Sequence, residues 1–152
     1  MAKRIDIVSD THGCLSDRLL EALDGCDLLI HAGDITSEAD WAQLEAIAPE
    51  VHGALGNNDG YYYNYGPAVE RLAVFVYEGL RISVAHYRDE LPCGSSDVAV
   101  CGHTHRAMIV HEGRCLVVNP GSASCPRGER GPTIARLVVE DGRVLSAEIV
   151  DL

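Results

Sequence analysis

The chain lacks an excess of positive charge: 12 lysines and arginines stand against 23 aspartates and glutamates, a formal net charge of -11. That balance excludes a protein that coats nucleic acid by neutralising phosphates. A small phosphate-bearing substrate is still compatible with it, provided the site brings its own local positive charge, as bound metals would. No run of apolar residues is long enough to cross a bilayer. The start, MAKRIDIVSD, has a basic pair but only a short apolar run before Ser9 and Asp10, which is not the pattern of a secretory signal. The expectation is a soluble cytoplasmic protein without a membrane partner. Six cysteines are scattered without a C-x-x-C pair, so reduced and partly buried thiols are expected rather than a disulfide or zinc framework. Composition breaks, repeats and low-complexity linkers are also missing, so the 152 residues read as a single domain, 1–152.

What the chain does have is strand and helix in alternation, followed by strands alone. Residues 4–9 and 27–32 are short apolar runs, and between them LSDRLLEALDG carries leucines at helical spacing with Gly25 as its stop. A second helix is expected over 37–47 and an extended segment over 50–55. Further strands are expected over 69–77, 81–86, 97–101, 107–111, 116–119, 133–140 and 143–151, many of them separated by glycine turns. The architecture this implies is α/β, a mixed sheet pair with few helices.

The polar residues gather where those runs stop. Asp10 and His12 follow the first strand, Asp34 the second and Asn57 the third; His86 ends a later one, and His103 and His105 follow Cys101. Such positions converge at one edge of an open α/β sheet, where ligands bind. Mixed oxygen and imidazole donors suit Mn, Fe, Co, Ni or Zn, whereas a structural zinc site prefers cysteine. A lone Asp-x-His is a weak signal, and lone histidines such as His31 and His52 are commonly packed or surface residues. In GHTH the two histidines at i and i+2 point the same way, and Gly102 lets the backbone approach closely.

Taken in order, SDTHG, HAGDI, LGNND, CGHTH and VVNPGSASCPRG resemble the calcineurin-like metallophosphoesterases, in particular their small single-domain phosphodiesterase branch, which shares its fold with a retromer scaffold subunit. The resemblance spans nearly the whole chain. It implies a two-sheet β-sandwich flanked by helices, four layers in the order αββα, and a metal-dependent phosphodiesterase with two divalent ions, manganese first among them. One ion would take Asp10, His12 and His105, the other Asn57, His86 and His103, with Asp34 bridging. A hydroxide held between them would attack phosphorus in line. A phosphomonoesterase of the same fold and a protein-binding scaffold like the retromer subunit are the alternatives.

Three departures stand out. Asn58 occupies the position where many relatives carry a proton-donating histidine, and an amide cannot protonate a leaving alkoxide. Good leaving groups are then expected, or a proton from His12 or water. The usual His-Gly pair reads His86-Tyr87-Arg88, and only ten residues separate His86 from Asp97, so one covering helix is expected to be missing and an apolar face open to a partner or a second copy. Arg106, Arg127 and Arg130 are candidates to meet substrate phosphate, NPGS a supporting turn, and Cys14 the start of a packed helix. Four of the eight aromatic residues fall within GNNDGYYYNYG, where Asp59 is expected to fix the turn. Tyr61, Tyr63 and Tyr65 either stack on a substrate ring or pack against the body or a subunit.

Overall fold

The structure, a computed structural model, describes residues 1–60 and 62–152. Strands β1 (Lys3–Val8), β2 (Leu28–His31) and β3 (Glu50–Ala54) alternate with helices α1 (Asp17–Leu23) and α2 (Glu38–Glu45). Each helix starts where a serine hydroxyl accepts a backbone N–H: Ser16 from Leu19 and Ser37 from Asp40. The first stops at Asp24, and Gly25 follows at φ +85°, a conformation that glycine adopts without strain. Because both crossovers return the chain in the same direction, β1, β2 and β3 pair in parallel and their C-terminal ends share one edge.

The expected strand over 69–77 is divided at Arg71. Val69–Glu70 (β4) closes the edge of the first sheet beside β3, while Leu72–Tyr77 (β5) opens the second sheet beside β6 (Leu80–Ala85). The second sheet continues through β7 (Val98–Val100) and β9 (Cys115–Pro120) to β8 (Ala107–Glu112). The hairpin β10 (Thr133–Glu140) and β11 (Arg143–Asp151) returns to the first sheet, so its order is β11-β10-β1-β2-β3-β4.

Alternation on each strand sorts side chains between layers. Ile5, Ile7, Leu28, Ile30 and Leu137 of the first sheet meet Ile82, Val84, Val98, Val100 and Val118 of the second in a continuous apolar core. On the outer side of the first sheet, Val8 and Leu29 pack against Leu19 and Leu23 of α1 and Trp41 and Leu44 of α2. The outer side of the second sheet has no α-helix. Two 3₁₀ turns, Arg88–Glu90 and Cys93–Ser95, form the fourth layer, with Leu91 and Cys93 over Ala85, Ala99, Cys101, Cys115 and Val117. The middle of that face is therefore covered despite the short segment, and the apolar surface left open lies along edge strand β5, at Leu72, Val74 and Val76. All six thiols are free, and no helix among the described residues is long and apolar enough to cross a membrane.

Candidate metal centre

All seven candidate residues stand at the C-terminal ends of strands, on the seam between the two sheets. Asp10, His12, Asp34 and Asn57 come from β1, β2 and β3; His86, His103 and His105 come from β6 and β7. Reaching the seam requires unusual backbone. Of the eight non-glycine residues with positive φ among the described residues, five are Asp10, His12, Asp34, His103 and His105, with φ between 47° and 69°. Strain of this kind concentrates where the surrounding structure holds a site in place. Two glycines make room for it. A Cβ on Gly56 would collide with the Asp34 carboxylate, and one on Gly102 with Ser9 Oγ and Asp10 Oδ2.

Asp10 is fully buried, and its two oxygens differ. Oδ2 accepts from the Ser9 hydroxyl (2.5 Å) and the His103 backbone N–H (3.1 Å). Among the described residues Oδ1 is buried without a hydrogen-bond partner, yet Nε2 of His105, His12 and His86 lie 3.2, 3.7 and 3.9 Å from it. The imidazoles are oriented from behind. His105 Nδ1–H donates to the Cys125 carbonyl (2.5 Å) and His86 Nδ1–H to the Ala32 carbonyl (2.8 Å), so each turns Nε2 inward. An outer carbonyl that fixes the ring in this way is what metal-binding histidines use. His12 Nε2 and His105 Nε2 face each other at 3.3 Å. The Asn57 side-chain oxygen lies 2.9 Å from His86 Nε2 and 3.2 Å from His103 Nδ1. Lone pairs and carboxylate oxygens thus converge on one small volume.

Asp34 Oδ2 sits 3.4 Å from His86 Nε2 and 3.7 Å from His12 Nε2, so this carboxylate also reaches both sides of the cluster. Burial works against its charge, but hydrogen bonds from His86 and from the Asn58 backbone and side chain outweigh it and hold the carboxyl at about 2. Burial likewise opposes protonation of His86, and Asp34, the Ala32 carbonyl and Asp10 together raise its pKa nonetheless. Both shifts express the same demand for positive charge, which a proton or a metal ion satisfies. Two sets place one ligand atom per residue within 4.8 Å of one another: Asp10, His12 and His105, and Asp10, Asp34 and His86.

Around the cluster lies a shell of buried polar groups. Asp59, fully buried, accepts backbone N–H from Asp34, Ile35, Thr36 and Gly56, and the Tyr65 hydroxyl, at 2.7 to 3.0 Å. Asp59 therefore does fix the turn, and it ties the loop after β2 to the loop after β3. Ser122 and Ser124 hydroxyls donate to the Asp10 carbonyl, and Asn119 donates to the Gly102 carbonyl and Thr104 Oγ1, so NPGS is a support as expected. His31 is a support that lone-histidine reasoning set aside. Its Nδ1 accepts from the Gly33 N–H (3.0 Å) and its Nε2 meets Thr11 Oγ1 (2.9 Å), while burial pulls its pKa down to about 4.

Two tyrosines of the run, Tyr63 and Tyr65, pack against the body. Tyr65 is buried and stacks with Tyr63 at 5.7 Å, edge-on to Trp41 behind the first sheet, while Tyr62 points into solvent; Tyr61 lies outside the described residues. The aromatic residue at the cluster is Tyr87, 4.6 Å from the His103 ring and 5.4 Å from that of His86. Among the arginines, Arg130 is paired with Asp151 at the end of β11, Arg127 contributes a backbone N–H to the His105 carbonyl, and Arg106 lines a cleft with His103. Cys14 is exposed in the loop before α1 and does not start a packed helix.

Two stacked mixed sheets with a cluster of carboxylates and imidazoles at their seam make an arrangement that could hold metal ions. Residues 4–142 match the model of the calcineurin-like phosphoesterase superfamily domain. The chain is 31% identical to a probable metallophosphoesterase of Methanothermobacter thermautotrophicus, over 96% of this chain and 91% of that protein. It belongs to the calcineurin-like phosphoesterase superfamily. Among solved structures, an archaeal phosphodiesterase superposes with a TM-score of 0.78 at 24% identity, covering 98% of this chain and 99% of the other. Vacuolar protein sorting 29 from Cryptosporidium parvum superposes with a TM-score of 0.76 at 18% identity, covering 99% and 98%. At such identities these likenesses show the fold.

Proposed function

We propose that the protein is a metal-dependent phosphodiesterase, a single domain over residues 1–152 that holds two divalent ions at the seam. The observation that carries this is the buried, unpartnered Asp10 Oδ1 with three inward-turned imidazole nitrogens around it. Asp10, His12 and His105 would hold one ion and Asn57, His86 and His103 the other, with Asp34 shared; manganese leads the candidates, followed by Ni, Zn, Fe and Co. Such ions supply Lewis acidity and a lowered pKa for an attacking water.

The chain's own residues bind, orient and exclude. The Cys125 and Ala32 carbonyls fix two of the imidazoles, and Asn58 holds the Asp34 carboxylate with its backbone N–H and side-chain amide, both at 2.9 Å. The Asn58 amide is thereby committed to Asp34 and offers no acid to a leaving group. A diester with a leaving group that departs as a stable anion fits this better than a monoester of an ordinary alcohol. The scaffold reading is weaker because every expected ligand position is filled and brought together. Hydrolysis of a chromogenic aryl phosphodiester and the matching monoester, with manganese and after chelation, tests the proposal. Metal-dependent turnover of the diester is expected to exceed that of the monoester. A folded protein without metal-dependent turnover of either would end the enzyme reading.

A further inference from the structure

The cleft of about 470 Å³ beside His103 has not been assigned a role. Tyr87, Cys101, Met108, Arg88 and Arg106 are among its lining residues. Asn119 also lines it, but its side chain is already committed: the amide donates to Gly102 and Thr104, and the oxygen accepts from the Gly121 N–H. The cleft thus combines an aromatic ring and the Met108 thioether with two cationic side chains among its lining residues. This is the construction that takes a flat, partly apolar ring joined to an anion.

We propose that this cleft is the subsite for a planar ring, a nucleobase or aryl group, carried by the phosphate ester that reacts at the seam. The inference rests on the phosphoesterase reading and names the substrate class for it. The Tyr87 ring lies tilted at 55° and 4.6 Å from the ring of His103, so a ring stacked beside Tyr87 keeps its phosphate within reach of the cluster. Tyr87 also borders a second cleft of about 460 Å³ on the Asn57 side, but there Arg71 is held by both oxygens of Glu90. Arg88 and Arg106 form no ion pair among the described residues; the Arg88 guanidinium donates to the Met108 sulfur, at 3.5 Å. In a chain of net charge -11, two such cations favour entry of an anionic ester on this side. Asp89, on the same lining, offsets one of them. The two departures at His86-Tyr87-Arg88 and in the short segment to Asp97 meet here, since the first supplies the ring and the second replaces a helix with the turn Arg88–Glu90.

The test uses binding and turnover together. By titration calorimetry, with and without manganese, adenosine 5′-monophosphate is expected to bind at least about tenfold more tightly than methyl phosphate. Tyr87→Leu, which keeps apolar volume without a ring, should bring the two within about twofold, and Tyr87→Phe should retain the preference. Equal affinities in the wild type, no detectable nucleotide binding, or a preference that survives Tyr87→Leu would overturn the subsite. A nucleoside p-nitrophenyl diester and methyl p-nitrophenyl phosphate, which share a leaving group, separate this from the parent reading. Equal turnover of both removes the subsite and leaves the phosphodiesterase. Turnover of neither, with the nucleotide preference intact, removes the phosphodiesterase and leaves the subsite.

Discussion

Replacing Asp59 by asparagine should loosen the candidate site without replacing any candidate ligand. Its Oδ2 accepts from the Asp34 and Gly56 N–H groups at 2.8 and 2.7 Å, and its Oδ1 from Ile35, Thr36 and the Tyr65 hydroxyl at 3.0, 2.9 and 2.7 Å. An asparagine puts an NH₂ in place of one oxygen, and either orientation leaves two buried backbone N–H groups facing a donor. At about 1 to 3 kcal/mol for each orphaned group, Asp59→Asn should cost on the order of 4 kcal/mol. For a chain of this size that corresponds to a fall in Tm of on the order of 10 °C. Because a native domain holds only about 5 to 15 kcal/mol in all, the variant should fold but with little reserve. Metal affinity should fall with it, since the two loops tied by Asp59 carry Asp34 and Asn57. Thermal melting and metal titration on the same preparation check this, with Tyr65→Phe as the milder case at about 1 kcal/mol. An Asp59→Asn protein that melts within about 2 °C of wild type and binds metal as well would refute the reasoning.

Asp34→Asn should leave the fold intact, because asparagine tolerates the φ of +61° found there, while on the proposed sharing of Asp34 between two ions turnover should drop by at least about a hundredfold. Near-normal turnover in that variant would mean that Asp34 is no ligand. Acid stability should report His31. Its folded pKa of about 4 lies below the ordinary 6.5, so between those values the unfolded chain takes up a proton that the folded one refuses, and stability is full above that window and falls as pH drops through it. From pH 7 to pH 5 the loss is about 2 kcal/mol, read as a shift in the urea midpoint of metal-free protein. His31→Gln should lack that component, and an unchanged pH dependence in the variant would show that His31 is not its source.

The strand pattern was legible because period-two alternation between glycine turns is a local property, and the ligand candidates were legible because they sit where that alternation stops. What was not legible depends on which layer a segment joins. The run 69–77 is apolar on both sides of Glu70 and Arg71, and nothing local says that β4 completes one sheet and β5 begins another. Tyr65 looked available for substrate because its partner, Trp41, lies 24 positions away and meets it only after α2 packs. Tyr87 was noted only as a departure from glycine, since its proximity to His103 exists only when β6 and β7 stand side by side. The left-handed φ values at five candidate residues had no sequence signal beyond the tolerance of Asp and His for that region.

The seam has a consequence for selectivity among ions. Asp10, His12, Asp34 and Asn57 belong to one sheet and His86, His103 and His105 to the other, so the width of the site follows the spacing of the two sheets across the core that holds Ile30, Ala32, Val84 and Val100. Packed interiors resist change in that spacing. For any ion held at the seam, the fit to its radius would accordingly be a property of the aliphatic residues as much as of the candidate ligands, and volume changes buried far from solvent would tune which ion is preferred.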